Sequence, residues 1–314
     1  MSVAFTFPGQ GSQAVGMGKD LADNFAEARA VFEEVDEALG QKLSDIMWNG
    51  PEETLTLTAN AQPALMAVSM AIVRVLETEG GFILARRCSH VAGHSLGEYS
   101  ALAAAGAFSL ADAARLLKAR GQAMQRAVPV GIGAMAALLG AEIAQAEDLC
   151  RDASTADEIA AVANDNAPGQ VVISGHKAAI ERAAEMTKAR GIKRAMMLPV
   201  SAPFHSPLMA PAAEEMQRRL SEATIHTPSL PVISNVTVTP VSDPDEIRRL
   251  LVEQVTGRVR WRETIESMPS LGITKVVEAG AGKVLTGMAK RITKDIEPVS
   301  LETPAEIEAF LKSV

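Results

Sequence analysis

The segment Val91-Ala92-Gly93-His94-Ser95-Leu96-Gly97-Glu98-Tyr99 narrows the folds open to this chain more than any other stretch. An apolar, β-prone run ends in glycine. Serine stands two residues later, a second glycine two residues after that, and an alanine-rich helical run from Ser100 to Ala105 follows. In that context G-x-S-x-G is a strand turning sharply into a helix. The small residues let strand and helix approach closely, the bend lifts the serine hydroxyl out of the sheet, and the first helix amide faces a developing oxyanion. Such a turn serves covalent acyl chemistry, and a strand feeding a helix directly belongs to an α/β architecture.

The rest of the chain alternates in the same way. Val3–Phe7 reads as a strand stopped by Pro8-Gly9, and helical periodicity runs from Lys19 to Leu39. A short helix opens at Pro51, and a longer one covers Gln62–Glu77. Ser89–Gly93 is the second core strand, followed by helices over Ser95–Ala105 and Ser109–Met124, the latter N-capped by Ser109 with Asp112 at N3. After Pro129 the texture changes. Strand Ile132–Leu139, helix Glu142–Ala153, strand Ile159–Ala163, a turn at Asn164–Gly169, strand Gln170–Ser174, helix His176–Arg190 and strand Lys193–Leu198 give βαββαβ, the ferredoxin-like order. Helix Pro207–Ser221, strand Pro231–Ser234, helices Asp243–Val255 and Arg262–Met268, strand Thr274–Glu278 and helix Lys283–Ile292 return to the first pattern. The expected fold is α/β, a mostly parallel sheet core formed by 1–126 and 200–314 with an inserted ferredoxin-like subdomain at 127–199.

Bulk properties exclude several classes. At 314 residues with 47% hydrophobic and 22% charged content, the chain is a globular protein of ordinary composition, its core built from aliphatic side chains because aromatics are only 4%. A net charge of -8 argues against a general nucleic-acid surface. Cys88 and Cys150 form no C-x-x-C, which suits a reducing cytoplasm. The N-terminus lacks a signal-peptide layout. The apolar stretch Ala64–Leu76 is too short to span a bilayer and suits a buried helix.

Ser95 needs a base. His94 is its neighbour, but adjacent residues at a tight turn point in different directions. His90 and His94 are four apart, without the glutamate or third ligand of a zinc helix, so no metal is expected. His205 sits in Pro199-Val200-Ser201-Ala202-Pro203-Phe204-His205-Ser206-Pro207, a loop stiffened by three prolines. It is either the base or a surface cap on the following helix. His176 and His226 read as structural. No acid stands in an orienting position, and a backbone carbonyl could orient the imidazole equally well. Gly9-Gln10-Gly11-Ser12-Gln13-Ala14 matches a dinucleotide fingerprint, but the expected acid-tipped second strand is missing. These glycines either form a plain turn or bring backbone amides to a substrate oxygen. Arg120, near a helix C-terminus, is either solvated or a two-pronged clamp on a carboxylate.

Together, Phe7–Gln13, Gly93–Ser100, Arg120-Gly121, Asn166–Gln170, Phe204-His205-Ser206 and Gly282–Leu285 resemble the malonyl-CoA:acyl carrier protein transacylases, the discrete acyltransferases of bacterial type II fatty-acid synthesis. The resemblance runs nearly end to end. It implies a hydrolase-like core, Ser95 as nucleophile, His205 as base, Gln10 and Leu96 as oxyanion-hole amides and Arg120 as the site of the malonyl carboxylate. Gln254 would orient His205 through its carbonyl. The run after it, Val255-Thr256-Gly257-Arg258-Val259-Arg260-Trp261, departs from the family's usual leucine and proline. The resemblance also implies Phe204 as a filter against α-methylated substrates and a cytoplasmic monomer. Malonyl-CoA and acyl carrier protein would be its partners, with no nucleic acid and no membrane, and it would need no metal or cofactor beyond the coenzyme A thioester substrate. A serine thioesterase, a non-catalytic carrier-binding module and the same transfer in a polyketide or malonate pathway are the competing expectations.

Overall fold

The computed structural model describes residues 2–200 and 202–314; Met1, and Ser201 of the proline-rich loop, lie outside the described residues. The strands in chain order are β1 (Ser2–Phe7), β2 (His90–Gly93), β3 (Gly133–Leu139), β4 (Ala160–Ala167), β5 (Gln170–His176), β6 (Arg194–Met197), β7 (Val232–Ile233), β8 (Pro240–Val241), β9 (Ile273–Ala279) and β10 (Glu297–Leu301). They form one sheet of order β10-β9-β1-β2-β7-β8, parallel except for the β7–β8 pair, and a second, antiparallel sheet of order β4-β5-β3-β6. The fold is therefore the expected mixed α/β, and the second sheet has ferredoxin-like connectivity.

β1 and β2 occupy the centre of the first sheet. Covered by helices on both faces, they are mostly apolar and buried toward their carboxyl ends, as parallel strands at the centre of a sheet are. Their register pairs Phe7 with Gly93, so both strands end at the same edge. The Pro8–Gln13 loop and the serine turn consequently leave the sheet side by side, at the carboxyl edge where α/β sheets build their sites.

The helix Thr58–Gly80 fills the core beneath this edge. Its apolarity passes the length test for a membrane span, yet 89% of the most apolar window is buried within the fold. It begins one turn earlier than the sequence suggests and carries Pro63 inside its second turn. That extra turn is pressed against the helix Leu110–Arg126, where a Cβ on Gly121 would lie 2.5 Å from the Thr58 carbonyl oxygen. The periodic run Lys19–Leu39 is two helices, Lys19–Asn24 and Ala26–Leu39, because Phe25 turns extended and packs its ring against the core. Ser109 does cap its helix, accepting from Asp112 N–H at 3.1 Å.

In the second sheet, helices Ile143–Ala153 and Lys177–Met186 cover one face over a separate core that includes Leu138, Leu149, Ile173 and Ile180. The expected turn at Asn164–Gly169 is a correction. β4 runs on to Ala167, with register shifts at Val162/Asn164 and Asp165/Ala167, and only Pro168-Gly169 turn. The polar run can stay in a strand because it is paired across to the segment around Val259 and Arg262. Asp165 N–H donates to Val259 O at 2.9 Å, Val259 N–H donates to Ala163 O at 2.8 Å, and the Asp165 carboxylate meets Arg262 at 2.9 Å. The segment around Val259 thus seals the small sheet to the large one. β8, β10 and the helix Pro304–Leu311 carry little sequence signal. β10 tolerates Pro298 because it is an edge strand, hydrogen-bonded on one side.

Candidate active site

The turn at Ser95 is tight. Ser95 has φ +53°, a left-handed conformation that L-residues adopt at a cost of about 1–3 kcal/mol. The flanking glycines are required by contact: a Cβ on Gly93 would stand 1.9 Å from the Gly97 carbonyl group, and one on Gly97 would stand 2.2 Å from Phe7 O. Only glycine lets the helix Gly97–Ala104 press its first turn against the ends of β1 and β2. Gly9 meets the turn in the same way, since its Cβ would lie 2.7 Å from His94 O. Gln10 and Leu96, expected to donate from opposite sides of the serine, both line one cavity with Ser95. Neither backbone N–H has an acceptor among the described residues.

Ser95 Oγ lies 2.8 Å from His205 Nε2. His205 is itself left-handed, φ +55°, in a loop held by Ser206 Oγ–H donating to Pro203 O at 2.7 Å and by Pro203 packed on Gly133. Its Nδ1 faces two carbonyl oxygens, Gln254 O at 2.9 Å and Gly257 O at 3.1 Å. Carbonyls only accept, so Nδ1 carries the proton and Nε2 is free to accept from the serine. Gln254 O is one of the unpaired carbonyls at the end of the helix Pro244–Thr256. A helix C-terminus, with its partial negative charge, therefore occupies the place of a triad acid. The departure after Gln254 does not disturb this arrangement, since Gly257 adds a second carbonyl. Burial, reinforced by the Arg120 charge, pushes the imidazole down to about 3, so the resting ring is neutral.

Arg120 is not a solvated helix end: it is 1% exposed. Its Nη1 donates to Gln62 Oε1 at 2.9 Å, and its Nη2 to Gln254 Oε1 at 2.9 Å and to Ser95 Oγ at 3.2 Å. Nε has no partner among the described residues. The guanidinium lies 5.7 Å from the centroid of the Tyr99 ring. The cavity above it has a volume of about 770 Å³, within the usual range for a ligand site, and its wall joins strands of the second sheet to the loops that leave β1 and β2 of the first. Phe204 lines it beside His205.

Sequence reasoning missed Glu98. It is 3% exposed, its Oε2 accepts from Gln254 Nε2–H at 2.7 Å, and burial raises its carboxyl to about 7. Its position three residues after the serine was a signal, since that spacing turns a helical side chain back toward the elbow. Asn235 and Asn166 were also missed. His94 turns away from the hydroxyl: its Nε2 meets Asn166 Oδ1 at 2.8 Å and its ring lies 5.6 Å from that of Trp261. His176 Nδ1 accepts from Ile159 N–H at 2.9 Å, and His90 Nδ1 lies 3.0 Å from Ser89 Oγ; neither reaches the cavity.

A serine, a carbonyl-oriented imidazole, a pair of unengaged amides and a buried arginine can form and break a serine ester of an acid-bearing acyl group. Comparison with known proteins agrees. The acyl transferase domain family matches residues 4–305. The chain belongs to the acyl transferase family. This acyl transferase is 44% identical to the malonyl CoA-acyl carrier protein transacylase of Escherichia coli (strain K12), over 98% of each chain. It superposes on the crystal structure of an acyl-carrier-protein S-malonyltransferase from Bartonella henselae with a TM-score of 0.97, at 56% identity over 100% and 99% of the two chains. A third relative, a malonyl-transacylase solved in complex with a type II polyketide-synthase acyl-carrier protein, gives a TM-score of 0.96 at 41% identity, with each chain fully covered, 100% in both cases.

Proposed function

We propose that this acyl transferase moves the malonyl group of malonyl-CoA to the phosphopantetheine thiol of an acyl carrier protein, by a ping-pong cycle through malonyl-Ser95. The observation that carries the reading is the buried Arg120 guanidinium, 3.2 Å from Ser95 Oγ. An acyl group whose free carboxylate reaches that cation has its thioester carbonyl close to the nucleophile, and malonyl, with one methylene between the two carbons, has that length. The relatives named for malonyl transfer support the same substrate.

The cycle follows from the geometry. His205 Nε2 takes the Ser95 proton as Oγ adds to the thioester carbon. The Gln10 and Leu96 amides receive the oxyanion, and loss of one such donor costs about 10²–10³ in rate. Collapse expels the coenzyme A thiolate, which leaves with the proton from His205. The carrier thiol then gives its proton to the same nitrogen, attacks malonyl-Ser95, and the serine recovers its hydroxyl. The helix C-terminus at Gln254 and Gly257 stabilises the transient imidazolium, so no acid is needed; nor does the cycle draw on a metal or a bound cofactor. The two separate sheets support a division into 1–126 with 200–314 and an inserted 127–199. Cytoplasmic residence accords with two free cysteines, Cys88 half-buried and Cys150 buried.

The test is the fate of isolated, labelled malonyl-enzyme. Transfer predicts slow loss of label to water and fast loss to holo-acyl carrier protein. Loss to water at the same rate with or without carrier would make the protein a thioesterase.

A further inference from the structure

Among the described residues, three non-glycine residues have positive φ: Ser95, His205 and Val238, the last at +63°. The first two form the reacting pair. A β-branched residue in this region is a true outlier, kept only where its surroundings over-determine it. Val238 closes the β7–β8 turn, where Val238 N–H donates to Ser234 O at 3.0 Å and Ser234 N–H to Thr239 O at 3.1 Å. That turn presents one side chain to the site, Asn235, which is 0% exposed.

Asn235 Oδ1 accepts from Ser95 N–H at 2.8 Å, and its Nδ2–H donates to Gly93 O at 2.7 Å. The last β2–β7 pair is Ala92 with Ile233. Beyond it the left-handed bend takes the chain off the ladder, and the Asn235 carboxamide stands in for the missing neighbouring peptide. The next peptide is held from the other side. Gln254 Nε2 donates to Ser95 O at 3.0 Å. Because N–H and C=O of one trans peptide point in opposite directions, this bond turns the Leu96 N–H the other way. Glu98 ties the two anchors together, accepting from Gln254 Nε2–H at 2.7 Å and from Asn235 N–H at 3.3 Å through the same Oε2.

We infer that Asn235 is a positioning residue for acyl transfer: its carboxamide, braced by Glu98 and Gln254, fixes the peptides around Ser95 and so aims both the nucleophile and the Leu96 oxyanion donor. The inference rests on Ser95 as the acyl-carrying nucleophile. The nearest replacements do not reproduce both bonds. Aspartate sets an acceptor against Gly93 O, glutamine is a methylene too long, and serine or alanine leaves Ser95 N–H and Gly93 O without partners.

The test compares Asn235→Ala, Asn235→Asp and Ser95→Ala in the full chain, with melting curves for each. Single-turnover malonyl-enzyme formation and steady-state KM for malonyl-CoA are measured. A misaimed nucleophile costs about 10²-fold in rate. That loss is expected in the acylation rate of both Asn235 variants, with KM within about threefold of the parent because Arg120 is untouched. A general loosening of the fold would move KM and the malonyl-to-acetyl preference as well. A folded Asn235 variant acylating within about threefold of the parent, or one whose loss lies in KM, overturns the inference. Failure of both variants to fold overturns it too, since the residue would then be structural. Retained activity in Ser95→Ala would instead sink the nucleophile assignment on which the inference stands.

Discussion

Replacing Arg120 with alanine should change which acyl group the protein transfers, and the structure sets the size of the change. The guanidinium is buried and satisfied at rest by amide oxygens of Gln62 and Gln254 and by Ser95 Oγ. An incoming malonyl carboxylate exchanges these neutral acceptors for charge-assisted, two-pronged contacts, which are roughly twice as strong. Removing one partner of a buried pair costs about 3–5 kcal/mol. At about 1.36 kcal/mol per decade this is about 2 × 10²- to 5 × 10³-fold in kcat/KM for malonyl-CoA. Acetyl-CoA has no carboxylate to lose, so the malonyl-to-acetyl ratio of kcat/KM should fall by the same factor. Arg120→Lys should lie between the two, because an ammonium restores charge without the planar fork. A second consequence separates this mechanism from simple misfolding. The Arg120 charge helps depress His205. Its removal should carry the acid limb of acylation upward, toward the ordinary histidine value near 6.5. The assay is the initial rate with each acyl-CoA and a fixed concentration of holo-acyl carrier protein, across pH, on variants of matched melting behaviour. A ratio within about threefold of the parent's would refute the clamp.

The parent protein should show no acid limb near pH 6.5 in malonyl-enzyme formation, because His205 stays neutral down to about 3. A limb centred there that persists in Glu98→Gln, which removes the other group placed near 7, would contradict this assignment. The same depression makes stability fall as pH drops from about 6.5 toward 3, since there the unfolded imidazole binds a proton that the folded one refuses; urea midpoints read it, and a midpoint rising on acidification in this window would oppose it. Phe204→Ser, opening the wall beside the base, should raise methylmalonyl-CoA transfer relative to malonyl-CoA, and no gain would remove Phe204 as the filter. Lys290 and Arg291 lie on the helix Val284–Ile292, whose Val284, Leu285 and Met288 line the cavity; acyl carrier proteins are acidic, so reversing both charges should raise KM for the carrier in low salt and leave acylation unchanged, whereas an unmoved KM would mean that these two charges take no part in docking. Asp165→Ala leaves Arg262 without its bidentate partner and should lower stability by about 3 kcal/mol, read as a fall in Tm of several degrees; a fall under about 2 °C would mean the pair does not bind the two sheets together.

How much of this site the amino-acid sequence discloses depends on where each group's partner lies. The serine turn is local. Its strand, its glycines and its helix are contiguous, and the contact that demands glycine at position 93 lies within the turn itself, so the spacing reveals the bend, although glycine at 97 is demanded by Phe7 of the neighbouring strand. His205 is half-legible, because prolines mark a stiff loop but cannot say what the loop faces. Arg120, in its own helix, looks like an ordinary solvated C-terminal arginine; it stands out only when the helix Thr58–Gly80 brings Gln62 against it and leaves it buried. The polar run Asn164–Asn166 reads as a turn because its partners, Val259, Arg262 and His94, are 72 to 97 residues away. Asn235 is the extreme case: it lies in a polar hairpin with no motif, and its partners on the elbow are 140 and 142 residues distant. Local motifs thus disclose which atoms react. The groups that aim those atoms are supplied by chain segments that meet only on folding, and their signature is conformational: a strained Val238 in a tight turn beside a fully buried asparagine. Substitutions at reacting residues should therefore abolish chemistry outright, whereas those at the aiming residues should lower its rate and leave substrate preference intact.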